Sequence, residues 1–454
     1  MTVIRIGAAV AAVCLMLAIF TTHLQAQNAF YVEETKDGRI YVFNNPKAYT
    51  DWKASGEMGK SITRIGAGPN GETIVFDSEE ALHLYNFKHN IPGEVLTTTT
   101  TPPPAVQEKL PYKFSGYMFG DYFYNVQRDP LFATATPPSN AALGGPEKLN
   151  GFQFRRIYFT FDDDISDNFT TRFRLEADQA ALSSDGKISV FVKDAFLRWK
   201  NAFGSNDFIF GIQPTPAYVD YSESIWFRSL EKTIMDLRGI LGSRDIGVSL
   251  RGKFDAAGKF NYWVEAGNGS GNKPETDKFK RFMFNLQYKP TDKFYLTVYQ
   301  DIKQAPEIPD PNNAAATVSN NSYTTYFSAI STVKDKYAVG GEAFFSRTQN
   351  GVAVGTAPNI SLDSKKTIGF SGWAWYYANP KVGFVGRYDY FDPNNNSGVK
   401  GDARNFFLGS LILKPIKNVY IMPNVEVESL QKTAAGASFK TSVTPRITFY
   451  YVFL

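Results

Sequence analysis

The sequence predicts an all-β protein: a sixteen-stranded antiparallel transmembrane β-barrel, preceded by a small α+β soluble domain of two β-β-α repeats. From residue 113 onward, stretches of about ten residues alternate apolar and polar side chains, and short turns alternate with long polar loops between them. Mean hydropathy is −0.26, yet aromatic residues make up 15% of the chain. A polar average with many aromatic rings is typical of a chain that crosses a membrane with strands.

The first 26 residues read as a signal peptide. An apolar run from Gly7 to Phe20 follows Arg5, and a small residue, Ala26, supplies the predicted cleavage site. Cys14 is the one cysteine and lies in this run, so the mature chain offers no thiol for a disulfide. Removing Arg5 leaves 47 basic against 44 acidic side chains. This balance gives no reason to expect a nucleic-acid partner.

Residues 93–112 form a predicted Thr/Pro-rich linker, which composition makes unable to pack a core. Before it, residues 28–92 are predicted to form the small soluble domain. Within that domain, Tyr31–Trp52 and Arg64–Tyr85 match at an offset of 33 residues, which indicates an internal duplication. Two roles stay open for the domain: a spacer or assembly aid, or a contact with a periplasmic or cell-wall partner.

Residues 113–454 are predicted to form the barrel, with an even number of strands as bacterial barrels require. Pattern and turn residues place the sixteen strand starts near Phe114, Phe152, Phe169, Ile188, Phe208, Ile246, Phe260, Arg281, Phe294, Tyr323, Tyr337, Thr367, Val382, Ala403, Val419 and Lys440. The final strand should pair with the first, because no backbone group can stay unpaired in hydrocarbon. Short links are expected on the periplasmic side, and long links outside.

The third long link, Pro214 to Asp245, is the longest. Sixteen strands otherwise leave an aqueous channel, so we expect this loop to fold inward and narrow it. The alternative is a loop that only caps the mouth. The predicted constriction residues are Asp220, Glu223, Arg228, Glu231, Lys232, Asp236 and Arg238.

Strand parity selects the charged side chains that should face the lumen. The predicted pore-lining residues are Arg156, Arg172, Arg174, Arg198, Arg251, Lys253, Arg281, Arg387, Glu426 and Arg446. Bases are enriched on the early strands, so acids of the third loop could set up a transverse field against them. The alternative is that these charges form ion pairs that hold loop and wall rigid.

Aromatic residues are expected to form girdles at the two membrane interfaces, namely Tyr122, Tyr158, Trp199, Tyr288, Tyr376, Tyr388 and Tyr451. The alternative is an inward aromatic track for sugars along Trp263, Tyr295, Tyr299 and Trp375, which rests on parity alone.

Catalysis is not expected. The three histidines fall at 23, 83 and 89, before the barrel, and no phosphate loop or metal motif occurs. The sequence therefore predicts no catalytic residue, metal ligand or cofactor.

Seven segments carry a resemblance. They are Asn150-Gly151-Phe152-Gln153-Phe154-Arg155-Arg156, Lys193-Asp194-Ala195-Phe196-Leu197-Arg198-Trp199, Phe210-Gly211-Ile212-Gln213-Pro214, Phe227-Arg228-Ser229-Leu230-Glu231, Ser243-Arg244-Asp245-Ile246-Gly247-Val248, Gly386-Arg387-Tyr388-Asp389 and Pro423-Asn424-Val425-Glu426. In order and placement, the region from about Phe114 to the C-terminus resembles the phosphate-selective porin O and P family. The resemblance implies a sixteen-stranded, trimeric outer-membrane diffusion channel. Phosphate-selective members use clustered bases in inward-folded loops, whereas here the third loop mixes both signs and the fifth, Ala305–Asn320, has no basic residue.

The expected function is an outer-membrane porin for passive diffusion of small hydrophilic solutes and ions, with a preference for anions such as phosphate as the finer expectation. The expected partners are outer-membrane lipid, permeating solutes or ions, and two further copies in a homotrimer. The location follows as the outer membrane of a Gram-negative-type bacterium, with the soluble domain in the periplasm. The alternative is a barrel-anchored structural or adhesive protein with little conductance.

Overall fold

A computed structural model describes residues 30–91, 111–130, 144–356 and 359–453. The chain divides into two compact units, residues 1–107 and 108–454. The predicted signal peptide lies outside the described residues, and so do residues 93–110 of the predicted linker. The last residue of the predicted linker, Tyr112, is the first residue of a barrel strand.

The first unit contains two successive β-β-α segments, as predicted. Its elements are β1 (Val32–Lys36), β2 (Arg39–Phe43), α1 (Pro46–Ser55), β3 (Ile62–Arg64), β4 (Thr73–Phe76) and α2 (Glu79–Lys88). The strands form one sheet in the order β1-β2-β4-β3, with β2 and β4 parallel at its centre. No helix in the described ranges is long and apolar enough to cross a membrane.

The two segments repeat the same aromatic contact. Trp52 of α1 packs on Phe43 with ring centroids 5.3 Å apart, and Tyr85 of α2 packs on Phe76 at 5.6 Å. Both residues of one pair are offset by 33 from those of the other. Val42, which neighbours Phe43 and faces the opposite side of β2, packs with Tyr85. The helices therefore cover opposite faces of the sheet, and each stabilises its own repeat.

Glu33 ties the end of α2 to the edge strand β1. It accepts hydrogen bonds from the hydroxyl of Tyr31 at 2.5 Å and from Nε2 of His89 at 2.9 Å, and Lys88 Nζ lies 3.0 Å away. Burial raises the pKa of Glu33, but these three contacts outweigh it and hold the pKa below its ordinary value. The ionised carboxylate therefore stabilises this corner of the unit.

The second unit is a closed antiparallel barrel. Its strands are β5 (Tyr112–Tyr124), β6 (Asn150–Asp164), β7 (Phe169–Leu182), β8 (Ile188–Phe203), β9 (Asn206–Pro214), β10 (Arg244–Lys253), β11 (Phe260–Gly267), β12 (Arg281–Thr291), β13 (Phe294–Lys303), β16 (Ser322–Val333), β17 (Tyr337–Thr356), β18 (Asn359–Asn379), β19 (Val382–Asp392), β20 (Arg404–Leu413), β21 (Val419–Leu430) and β22 (Ser442–Phe453). A separate two-stranded hairpin, β14 (Ile308–Asp310) and β15 (Asn313–Val318), lies in the fifth long loop.

The predicted fold class and the count of sixteen barrel strands are confirmed. The last strand closes onto the first, from the Arg446–Phe123 pair to the Phe453–Gly116 pair. Closure leaves no free sheet edge, so every strand finds a partner on both sides without water. Fifteen of the sixteen predicted starts lie within two residues of the observed ones.

The exception is the strand predicted to start at Thr367, which starts eight residues earlier, at Asn359. Strands β17 and β18 remain paired out to Thr356 and Asn359, beyond a register shift after Thr348. The alternation at the start of β18 is short, Ile360 and Leu362 only, and the polar run Asp363–Lys366 separates it from the longer pattern that begins at Thr367. Backbone pairing continues the hairpin.

Alternation along the strands separates two surfaces. Phe284, Phe327, Phe370 and Phe449 are exposed on the outer face, while their neighbours in sequence point into the barrel and are mostly buried. An apolar outer face with a charged interior is what a barrel in lipid requires. Short turns join the strands at one end, called here the short-turn end, and the longer connections lie at the other.

Candidate functional site: a charged lumen crossed by the third loop

The third loop, residues 215–243, lies inside the lumen. Arg155 of β6 and Arg446 of β22 both donate to the carbonyl oxygen of Leu230, over 2.8 and 2.7 Å. Across the barrel, Nε1 of Trp375 on β18 donates to the carbonyl of Ile225 at 3.0 Å. Inward side chains from opposite walls therefore hold this loop, which places it across the channel axis.

Apolar packing fixes the same loop on two sides. Its own side chains are fully buried at the Tyr218, Ile234 and Leu230 positions. One cluster joins the loop to strands β12 to β19, and its wall residues are Met283, Tyr299, Tyr326, Phe344 and Phe391. The second cluster joins Trp226 and Leu230 to inward residues that include Ile330, Trp373, Trp375 and Phe406. Burial of each such side chain contributes about 1.5–3 kcal/mol, so the loop is a packed part of the barrel.

Gly340 of β17 makes room for one of these contacts. It pairs with Trp373 across the strands, and a Cβ placed on it would lie 2.2 Å from the Trp373 ring. Trp373 in turn packs on Trp226 of the loop at 5.4 Å and donates from Nε1 to Glu342 at 2.9 Å. A glycine is therefore required at position 340 for Trp373 to pack against Trp226 of the third loop.

Half of the predicted pore-lining residues are buried in ion pairs. Arg156 pairs with Glu176, Arg281 with Asp301 at 2.8 Å, Arg387 with Asp389 at 2.6 Å, and Arg446 with Glu426 at 2.5 Å. In these pairs no side chain is more than 12% exposed. Removing one member of such a pair strands a buried charge, at a cost of about 3–5 kcal/mol.

A further network links the loop to the seam where the barrel closes. Glu231 of the loop lies 3.6 Å from Arg155 and 3.8 Å from Arg446. Asp121 of β5 faces the same two arginines at 3.5 and 4.0 Å. The charges of Glu231 and Asp121 are therefore balanced by those of Arg155 and Arg446. Through these contacts Glu231 fixes the third loop to the barrel wall.

The other charged loop residues also have partners. Arg228 lies between two acids of its own loop, Glu223 at 3.4 Å and Asp236 at 3.0 Å, and Lys232 is 3.8 Å from Asp236. Of the two that reach the wall, Arg238 pairs with Glu428 at 2.8 Å, and Asp220 meets Arg251 at 3.2 Å. The predicted constriction residues thus lie together in the lumen, most of them in contacts that fix the loop.

Four predicted pore-lining bases remain open to solvent, three of them in ion pairs. Arg172, Arg198 and Arg251 keep 32%, 38% and 31% of their side-chain surface. They line a chamber of about 620 Å³ at the short-turn end, together with Lys113, Lys200, Asp162, Asp163, Asp164 and Asp220. Lys253, the last residue of β10, is exposed at the same end of the barrel. This chamber is where mobile ions can meet fixed charge.

A second chamber of about 430 Å³ adjoins the first, sharing Arg172, Pro214 and Asp220 with it. It lies against the loop, and its basic residues are Arg172, Arg174, Arg228 and Arg244. Arg174 is held by Thr160 at 2.8 Å and by Asp194 at 3.3 Å. The residues that line the two chambers include eight bases and five acids. Three further acids, Asp194, Asp207 and Asp236, pair with lining bases from behind the chamber walls, so the charges of the region as a whole are balanced.

Strand alternation did not predict that Arg155 and Lys193 point inward, because a β-bulge at each position interrupts the two-residue period. In β6 the register shifts between Phe119 and Gly120, which pair with Arg156 and Phe154, so Arg155 is the extra residue. A similar shift in β8 makes Lys193 extra, and its Nζ lies 2.8 Å from Glu176. A β-bulge places neighbouring residues on one face. The adjacent Arg155-Arg156 and Lys193-Asp194 pairs were the available signal, since two charges in a row rarely suit a lipid-facing strand.

The residues of the aromatic track proposed for sugars point into the lumen, as parity predicts, but two of them are covered. Trp263 and Tyr299 are 1% and 0% exposed, with Tyr299 in the cluster that packs on the loop. Tyr295 is partly buried, and its hydroxyl donates to the carbonyl oxygen of Asp292 at 2.7 Å. Trp375 lines the second chamber. Within the described ranges, no group of three or more His, Cys, Asp or Glu side chains is arranged to hold a metal ion.

No family model matches the chain, and no curated protein matches it in sequence. Solved structures match it in fold. The outer membrane channel DcaP of Acinetobacter baumannii aligns with a TM-score of 0.53 and 13% identity, covering 75% of this chain and 97% of that one. Salmonella typhi OmpF aligns with a TM-score of 0.51 and 13% identity, with the same coverage of 75% and 97%. At this identity the similarity establishes the fold alone: the chain folds as the barrels of these outer-membrane proteins do.

Proposed function

We propose that this protein is an outer-membrane porin for passive diffusion of small hydrophilic solutes and ions, with a preference for anions such as phosphate. The observation that carries the proposal is the pair of adjoining chambers inside a closed barrel, lined by charged side chains of both signs. The anion preference is supported by Arg172, Arg198 and Arg251, which keep about a third of their side-chain surface exposed and can attract anions locally. The apolar outer face of the strands supports a location in lipid.

Assembly and placement follow from the same proposal. The barrel would sit in the outer membrane of a Gram-negative-type bacterium with the short-turn end toward the periplasm, where bacterial barrels carry their short turns. The N-terminal unit would then be periplasmic, as a spacer or as a contact for a cell-wall or periplasmic partner. A homotrimer and membership of the phosphate-selective porin O and P family remain proposals from the sequence resemblance.

Purified full-length protein in a planar bilayer tests the proposal. A KCl gradient should give discrete conductance steps with a reversal potential shifted toward the chloride equilibrium value. Because the third loop occupies much of the lumen, we expect each step to be smaller than that of a barrel without an inward loop. Millimolar phosphate that blocks the current would support phosphate selectivity. Absence of any current would overturn the channel and favour a barrel-anchored structural or adhesive protein.

A further inference from the structure

The second chamber has a wall of tyrosines that general diffusion of hydrophilic solutes does not need. Tyr117, Tyr450 and Tyr420 line the chamber from the adjacent strands β5, β22 and β21, with ring centroids 5.9 and 5.0 Å apart. Tyr158 of β6 lies 4.7 Å from Tyr117 and is only 2% exposed, so it supports this wall without lining the chamber. All four point into the lumen, because strand alternation gives their neighbours in sequence the outer face. This arc is therefore separate from any aromatic girdle facing lipid.

The arc continues across the lumen. Trp375 of β18 packs on Tyr377 at 5.7 Å and on Phe227 of the third loop at 5.9 Å. Lys414 connects the two groups, with its ammonium 5.2 Å from the Tyr377 ring and 5.1 Å from the Tyr420 ring. Aromatic faces thus border the chamber on both sides of the loop.

Packing covers only part of the three lining tyrosines. Tyr117, Tyr420 and Tyr450 are partly buried and line the open volume of the second chamber, whereas Trp375 beside them is 9% exposed. A ring that served only to fill the core would be covered, as Tyr299 is at 0% exposure. Their exposed faces can therefore stack on a flat solute that enters the chamber.

Positive charge stands beside this aromatic wall. The next strand round the barrel after β6 is β7, which supplies Arg172 and Arg174, and the guanidinium carbon of Arg174 lies 5.8 Å from the Tyr158 ring. Arg172 and Arg174, each of which also pairs with an acid (Asp162 and Asp194), border the same chamber as Tyr117, Tyr420 and Tyr450. Such a site favours a solute that has both a flat apolar body and an anionic group. The body contacts the tyrosines, and the anionic group contacts the arginines.

We propose that the second chamber binds organic anions with a flat apolar or aromatic body, such as aromatic carboxylates, in preference to inorganic anions or neutral sugars. The proposal names a solute class for the porin function proposed above and rests on it. The carboxylate pairs with Arg172 and Arg174, and the body stacks on Tyr450 and Tyr420.

The test measures binding and conduction separately on purified full-length protein. Equilibrium dialysis with radiolabelled benzoate reads binding, and KCl current in a planar bilayer reads the channel. Benzoate should bind saturably and reduce the current. Acetate, which has the charge without the ring, and benzyl alcohol, which has the ring without the charge, should each bind at least tenfold more weakly.

Neighbouring residues of one strand supply a matched pair of variants. Tyr450→Ala should weaken benzoate binding about three- to ten-fold, the range expected for one lost ring contact. Tyr451→Ala, which removes an identical side chain from the outer face, should leave it unchanged. Tyr450→Leu keeps apolar bulk while removing the flat ring, and it should also weaken binding if stacking rather than volume matters. A β-sheet circular dichroism spectrum and heat-modifiable migration on a denaturing gel, both as in the wild type, show that each variant is folded.

The outcomes separate the two proposals. Normal KCl current with benzoate binding no tighter than acetate binding overturns this inference and leaves the porin intact. Benzoate binding that is equal in the Tyr450 and Tyr451 variants also overturns it. Preferential binding of maltose would assign the arc to sugars instead. Absence of current, with or without benzoate binding, overturns the porin function on which the inference rests.

Discussion

The ion pair between Arg172 and Asp162 offers a direct test of how fixed charge sets ion preference. Arg172 Nε lies 2.6 Å from Asp162 Oδ1, and the two side chains keep 32% and 33% of their surface on the chamber. Neutralising one leaves its partner as a net charge beside the ion path. We expect Arg172→Gln to lower the preference for chloride over potassium, and Asp162→Asn to raise it.

The chamber volume sets the size of the effect. A sphere of about 620 Å³ has a radius of about 5 Å, so an ion at its centre is about 7 Å from the guanidinium carbon. In water one unit charge at about 7 Å changes an ion's energy by about 0.6 kcal/mol, close to RT. The local anion concentration then falls about threefold while that of cations rises. Screening in 0.1 M salt reduces this, so the permeability ratio should shift about two- to six-fold.

Reversal potentials in a tenfold KCl gradient measure the ratio. The double variant Arg172→Gln/Asp162→Asn removes both charges and should return the wild-type reversal potential, which controls for changes of shape. Two single variants that both match the wild type would refute the reasoning, because the chamber would then lie off the ion path. Single shifts in the same direction would also refute it.

Three further outcomes follow from packing and charge elsewhere in the chain. Gly340→Val should displace Trp373 and unseat the third loop, giving larger and noisier conductance steps in planar bilayers, with Gly341→Val as the control because a Cβ there meets nothing within 4 Å. Ile234→Ala should cost about 2–5 kcal/mol of loop anchoring, seen as faster hydrogen exchange across residues 215–243 while the strands stay protected. Glu33→Gln should reduce hydrogen-exchange protection of α2 at pH 7, whereas Glu57→Gln, at an exposed acid outside that helix, should not. Since the folded-state pKa of Glu33 is depressed, its contribution is present above about pH 4.5 and is lost as the pH falls through the folded pKa, so the difference in protection between wild type and Glu33→Gln should disappear below that pKa. Equal hydrogen-exchange protection of α2 in wild type and Glu33→Gln at pH 7 would show that the Glu33 contacts contribute nothing to its stability.

The alternation of side chains along each strand predicted most of the residues that face the lumen. A strand places alternate side chains on opposite faces, so Arg446 and Tyr450 could be assigned inward, and Phe449 and Tyr451 outward, from their spacing alone. The same reasoning failed at Arg155 and Lys193, because a bulge adds one residue and leaves no mark in the hydrophobic pattern.

The sequence could not show which of the candidate charged residues form ion pairs with each other. The sequence presented Glu231 and Arg446 as two charges of a loop and a strand, 215 positions apart. Their 3.8 Å separation depends on the path of the third loop, which no local pattern fixes. Consequently the bases chosen for the pore include both open ones, such as Arg172, and fully buried ones, such as Arg387.

The sequence by itself determined the sixteen strands, the two N-terminal repeats and the face on which most side chains lie, because each depends on local periodicity or internal similarity. Only the tertiary structure decided which lumen charges pair, where the third loop crosses, and that Tyr117 and Tyr450 form one aromatic wall. Those contacts arise when the barrel closes and brings its first and last strands together. Closure fixes register between distant segments, and register, unlike alternation, is a property of pairs of strands.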